Sequence, residues 1–97
     1  MFDTSKVKFM HWIFADCSSL TTLDLNNLRT SNVRGMVGMF FNCSSLISLN
    51  IDNFDTSLVT DMRLMFYECN LLISLNLTMF DSSKVRYMDW IFQIVLL

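Results

Sequence analysis

Every apolar landmark of this chain returns after 26 residues with no insertion in between: Phe2, Leu28, Phe54 and Phe80; Val7, Val33, Val59 and Val85; Met10, Met36, Met62 and Met88; Phe14, Phe40, Phe66 and Phe92. Cys17, Cys43 and Cys69 keep the same spacing. A fixed period in the range of about 20 to 50 residues signals stacked supersecondary units, none of which can bury its own open faces. The 97 residues therefore read as one repeat domain, 1–97, of three full coils and a partial fourth. Met1 holds the register of Asn27, Asn53 and Met79, so the first coil is entered part-way; at the other end Val95 stands where the next cysteine is due, and Leu96-Leu97 replace the Ser-Ser of earlier coils. The chain is expected to be a fragment of a longer array.

Composition narrows the classes. With 53% hydrophobic and only 16% charged residues, each coil has enough apolar surface to order itself against neighbours, which argues against disorder. A net charge of −2 gives no general electrostatic reason to bind nucleic acid or an anionic membrane. The run Ile94-Val95-Leu96-Leu97 is far short of the ~20 residues that a spanning helix needs. Met1-Phe2-Asp3-Thr4-Ser5 lacks the charged leader and apolar core of a secretory signal.

Within the second coil, Leu46, Leu49, Ile51 and Phe54 follow Cys43, and the alternation Leu49-x-Ile51 predicts a short strand with one face inward. Asp55-Thr56-Ser57 carries turn and helix-start chemistry, because short polar side chains bond nearby backbone N–H groups. Val59, Met62, Met65 and Phe66 then fall at i, i+3, i+6 and i+7, which predicts a short helix with one apolar face. The expected coil is strand, turn, helix and return. The fold class so read is α/β, a leucine-rich-repeat-like solenoid of 26-residue coils with parallel strands on one face and short helices on the other.

Leu-x-x-Leu-x-Leu resembles the leucine-rich repeat. The longer pattern Met39-Phe40-x-x-Cys43-x-x-Leu46-x-x-Leu49-x-Ile51, followed by Asp55-Thr56-Ser57-x-Val59-x-x-Met62, is similar to the BspA-type repeat of bacterial and protist surface proteins, including a mycoplasma-type repeat of unknown function. The match runs from residue 2 to 93 and departs from the common leucine-rich form at Leu28, Phe54 and Phe80, where that form carries asparagine. The resemblance implies a cell-surface or secreted location as part of a longer protein, and binding of host or partner molecules.

Few residues suggest chemistry. Cys17, Cys43 and Cys69 lack a Cys-x-x-Cys pair or a histidine in register, so free thiols filling a tight corner are expected and no metal site is. The methionines of the expected helix face, Met10, Met36, Met39, Met62, Met65 and Met88, read as adaptable packing. His11 shares its register with Val37, Arg63 and Asp89, and no base, nucleophile and orienting group come together around it. Neither an enzyme nor a cofactor is expected. Asp3, Asp55 and Asp81 would form a ladder of oxygen ligands, but Arg29 interrupts it and helix-start capping explains them. The basic residues Lys6, Lys8, Arg34, Lys84 and Arg86 are interrupted by Leu58 and Thr60 and read as a solvated face. The sequons Asn42-Cys43-Ser44 and Asn76-Leu77-Thr78 carry meaning only on a eukaryotic secretory route. Gly35 and Gly38 read as weak points of a helix, each costing up to ~1 kcal/mol.

The expected binding surface is the concave strand face, where residues alternating with the inward leucines form three rows: Thr22, Ser48 and Ser74; Asp24, Asn50 and Asn76; Asn26, Asp52 and Thr78. They offer many hydrogen-bonding groups and few aromatic anchors. Two readings stand side by side, a non-catalytic module that binds a protein or surface ligand and a polar cover that keeps an open sheet soluble. The same coils also fit a passive spacer or a decayed array without a ligand. Exposed apolar groups at both ends favour end-to-end self-association.

Overall fold

The computed structural model describes residues 3–93, and in it the 26-residue spacing becomes a neighbour relation. Parallel bridges join Phe9 to Gly35, Gly35 to Asp61 and Asp61 to Tyr87. Strand β1 (Thr22–Asp24) pairs in parallel with β2 (Ser48–Asn50), and a bridge from Ser48 to Ser74 widens this pairing by one more repeat. Strand β3 (Phe66–Tyr67) pairs in parallel with β4 (Phe92–Gln93). Between these pieces the chain turns sharply through i to i+3 bonds, such as Val33 N–H to Thr30 O at 2.9 Å and Phe54 N–H to Ile51 O at 3.0 Å.

These findings correct the expected α/β, leucine-rich-repeat-like solenoid. The described residues contain no helix, so no helical layer backs the strands, and the body measures 39 × 31 × 22 Å. A helix would have each N–H bond four residues back. Here the Phe40 N–H bonds Met65 O at 2.9 Å, and the Gly38 N–H bonds Arg63 O at 2.8 Å, one repeat ahead. Left-handed residues recur in the same registers: Trp12, Gly38, Leu64 and Trp90 at φ of 58 to 62°, and Asp16, Asn42 and Glu68 at 58 to 60°. Such a residue interrupts a right-handed helix, and for a bulky side chain it persists only where its surroundings fix it. The N–H groups of Trp12, Leu64, Asp16 and Asn42 are fixed by carbonyls of the following repeat at 2.7 to 3.1 Å. Three-residue turns also return apolar side chains to one side, which is why the i, i+3, i+6, i+7 spacing imitated a helix face.

The interior is built from equivalent residues lying against one another. Val33, Met36, Met39, Phe40, Leu46, Val59, Met62 and Met65 are buried, with Met10, Ile51, Phe54 and Phe66 beside them. Phe14, Phe40, Phe66 and Phe92 stack nearly parallel, with ring centroids 5.7, 5.6 and 5.1 Å apart. Burial of this set is the main stabilising contribution, since a fully buried side chain of this size is worth about 1.5–3 kcal/mol. Met88, placed with the core methionines by sequence, is exposed. Phe2 and Ile94-Val95-Leu96-Leu97, with the end-to-end contact expected of them, lie outside the described residues.

The Asp-Thr-Ser segment ties repeats together. Asp3, Asp55 and Asp81 each accept the N–H of the serine two residues on, at 2.9 to 3.0 Å. They therefore shape turns; the expected helix-start caps do not form. The threonine reaches across: Thr30 Oγ1 accepts the Asp55 N–H at 2.8 Å and donates to Asp55 O at 3.1 Å, and Thr56 does the same to Asp81 at 2.8 and 3.3 Å. Thr4 repeats the clamp on Arg29.

The glycines are not helix defects. The Trp12 indole lies so close over Gly38 that a methyl group there would fall inside the ring, and His11 and Phe9 cover Gly35 in the same way. Gly38 also has a φ of +59°, which costs glycine nothing. We therefore expect Gly38→Ala to lower stability by about 1–2 kcal/mol from backbone strain alone, with a further loss from displacing Trp12 that vanishes in a Trp12→Ala background, measured by urea denaturation. Thr56→Val keeps the shape but orphans the Asp81 N–H and C=O; a loss of about 1–3 kcal/mol is expected, with Thr56→Ser retaining most of the stability.

Candidate binding surface

The polar rows beside the inward leucines come together where the short strands pair. Thr22 lies opposite Ser48 and Ser48 opposite Ser74, while Asp24 lies opposite Asn50. Leu23 and Leu49 face inward between them, which forces their neighbours outward by the alternation of a strand. Backbone bonds hold the rows in register: Leu25 N–H to Asn50 O at 2.9 Å, Leu49 N–H to Ser74 O at 3.2 Å and Ile73 N–H to Ile47 O at 3.0 Å.

The middle row is partly committed to its own backbone. Asp24 Oδ1 accepts the Asn26 N–H at 3.0 Å, Asn50 Oδ1 the Asp52 N–H at 3.2 Å and Asn76 Oδ1 the Thr78 N–H at 3.0 Å. Each is a turn in which a side chain replaces a backbone acceptor. The amide nitrogens of Asn50 and Asn76 stay available, since an amide offers two donors besides its oxygen.

Ser48, Asn50, Asp52, Ser74 and Asn76, with the backbone of Leu49, line one open hollow of about 290 Å³. Thr22 and Asp24 flank it on β1, exposed. Asn26 and Thr78 do not enter it. Asn26 belongs to a second hollow of about 260 Å³ with Arg29, Thr30, Ser31, Asn53 and Asp55, where its Oδ1 is buried without a hydrogen-bond partner among the described residues. Asn53 Nδ2 donates to the Asn26 backbone carbonyl at 3.3 Å.

The other sequence candidates separate. Cys17, Cys43 and Cys69 are free thiols. The Cys43 thiol bonds Phe14 O at 3.1 Å and the Cys69 thiol bonds Phe40 O at 3.1 Å. Contact with Cys69, then burial, pushes the Cys43 thiol far above the ordinary range, so it stays protonated. Among the described residues no three His, Cys, Asp or Glu side chains converge as metal ligands, and no helix is long and apolar enough to cross a membrane. His11 is exposed, and its Nδ1 accepts the Val37 N–H at 3.0 Å, so the ring serves the contact between repeats. Lys6, Lys8, Arg34, Lys84 and Arg86 are all exposed.

One assembly escaped the sequence. Trp12, Phe41, Tyr67 and Trp90 form a continuous aromatic row, with successive ring centroids 5.5, 5.3 and 6.4 Å apart. Its two end members share one register and its two middle members another, three residues on within the repeat, so a search down any single column finds only half of them.

The model of the family described as "Mycoplasma protein of unknown function, DUF285" matches residues 1–95. The chain belongs to that family. The DUF285 match supports the mycoplasma-type repeat noted in the sequence and leaves the narrower BspA-type resemblance as a matter of pattern. No curated protein and no solved structure matches the DUF285 chain significantly.

Charge on the turns sets an acid dependence. Hydrogen bonds from Ser57 hold the Asp55 carboxyl below its ordinary 3.8, and those from Arg63 do the same for Asp61. A carboxylate lowered in the folded state stabilises it above the unfolded pKa, and that contribution is lost as pH falls through the folded one. The urea midpoint is therefore expected to hold steady from pH 7 to about 5 and to fall below about 4, less steeply in Asp55→Asn/Asp61→Asn.

Proposed function

We propose that the chain is a non-catalytic recognition module that binds an extended segment of a partner protein at the strand face. The observation that carries this reading is the hollow formed by Ser48, Asn50, Asp52, Ser74 and Asn76, where two side-chain amides and two hydroxyls are presented on a short parallel sheet. An extended peptide is the natural complement, because its backbone offers a donor and an acceptor at each residue. The absence of an aromatic anchor in this hollow fits modest affinity, with specificity set by the spacing of polar groups. The BspA-like pattern supports placing the module at the cell surface or in a secreted protein, within a longer chain. No nucleic acid, cofactor or metal enters the reading.

A passive spacer is the second reading. It is favoured by the use of Asp24, Asn50 and Asn76 oxygens in their own turns, which gives these residues a structural duty without any ligand.

Panning a displayed peptide library against the chain separates the two. Enriched peptides should lose at least tenfold in affinity for Asn50→Arg/Asn76→Arg, measured well below a melting temperature that the loss of two turn acceptors lowers, where the circular dichroism spectrum is that of the wild type. Peptides that bind wild type and variant equally, or no enrichment at all, would leave the spacer as the function.

A further inference from the structure

The aromatic row Trp12–Phe41–Tyr67–Trp90 stands away from the strand-face hollow and has a charge of its own. Its end members are open to solvent, Trp12 at 46% and Trp90 at 64% relative exposure. Ring atoms of Trp12 close over Gly38, and the indole meets the Phe41 ring edge to face. Asp16 and Glu68 sit in the register immediately after the Phe41–Tyr67 positions, and Asp89 immediately precedes Trp90. Asp16 Oδ1 accepts a hydrogen bond from Asn42 Nδ2 at 3.0 Å, which ties that carboxylate to the residue after Phe41. Arg63, which shares the register of Asp89, is turned to Asp61 at 2.7 and 2.9 Å and lies 5.1 Å over the Tyr87 ring. Its charge also acts on Asp89, so Asp16 and Glu68 are the carboxylates of the row that no ion pair engages among the described residues.

Arg63 shows what such surroundings do: a carboxylate grips the guanidinium while an aromatic face lies beneath it. The longer row has Asp16 and Glu68 beside its rings in register, and neither carboxylate forms an ion pair among the described residues. We infer that the aromatic row is a second binding surface, and that its occupant is an extended segment of a partner protein carrying arginine side chains. The spacing sets the register. Three repeat steps at the ~4.8 Å strand separation put the two tryptophans about 14 Å apart, and an extended chain rising ~3.3 Å per residue spans that with arginines four residues apart.

The chain contains only two tryptophans and both belong to this row, so intrinsic fluorescence reports on it alone. Titration of the full chain with acetyl-Arg-Ser-Ser-Ser-Arg-amide should give a saturable change in tryptophan emission, weakened about fivefold by Glu68→Gln and again by Asp16→Asn, and strongly weakened in 0.5 M salt. Trp90→Phe, which leaves Trp12 as sole reporter, should retain a smaller saturable response. The corresponding glutamate peptide should do nothing. An equal response to the glutamate peptide, no response to the arginine peptide, insensitivity to both carboxylate variants, or a saturable response to a neutral oligosaccharide in place of the arginine peptide would each overturn the proposal.

Discussion

Backbone hydrogen bonding between one repeat and the next governs this molecule. In a helix the N–H of Phe40 would be satisfied four residues back; here it is satisfied by Met65, and the N–H groups of Trp12, Gly38 and Leu64 are handed forward in the same way. Because the polar groups of one unit are completed by another, no unit is self-sufficient. Side chains that share a register are then brought within contact distance, which stacks Phe14, Phe40, Phe66 and Phe92 and stacks Phe41 on Tyr67. Left-handed backbone at Trp12, Leu64 and Trp90 is the local strain that this arrangement sustains.

Much of the interior was legible in the sequence, and the path of the backbone was not. Val33, Met36, Phe40, Cys43 and Leu46 were read as inward from their period and are buried. The i, i+3, i+6, i+7 spacing of Val59, Met62, Met65 and Phe66 predicts a helix that does not form, because a chain turning every three residues returns side chains inward about as often as a helix does. The left-handed positions left only a faint trace: Gly38 and Asn42 are residues that favour that conformation, but Trp12, Leu64 and Trp90 in the first register, and Glu68 in the second, do not. The three polar rows were visible because strands alternate. Asn26 left its row for another hollow through turn geometry that alternation does not describe.

Two surfaces with different chemistry result from one scaffold. The strand-face hollow is polar and shallow, built from hydroxyls, amides and the Asp52 carboxylate beside paired strands. The aromatic row stacks at its centre and meets a tryptophan edge to face at each end, with Asp16 and Glu68 in the next register. Both depend on residues that vary from unit to unit while the inward positions stay apolar, so the outer registers can change without disturbing the fold. Ala15, Phe41 and Tyr67 occupy one such outer position, whereas Gly38, buried beneath Trp12, is held to glycine by its contacts and backbone.

The threonine clamp limits how such a chain can vary in length. Thr4, Thr30 and Thr56 each grip both the N–H and the C=O of a residue 25 places on, so the hydroxyl measures the contour between two points. Adding or dropping one amino acid inside a unit would leave that hydroxyl aimed at the wrong peptide group and shift every later column by a step. Growth or shortening of the gene by complete units avoids this penalty, which makes duplication and recombination, more than small insertions, the tolerated routes of its evolution.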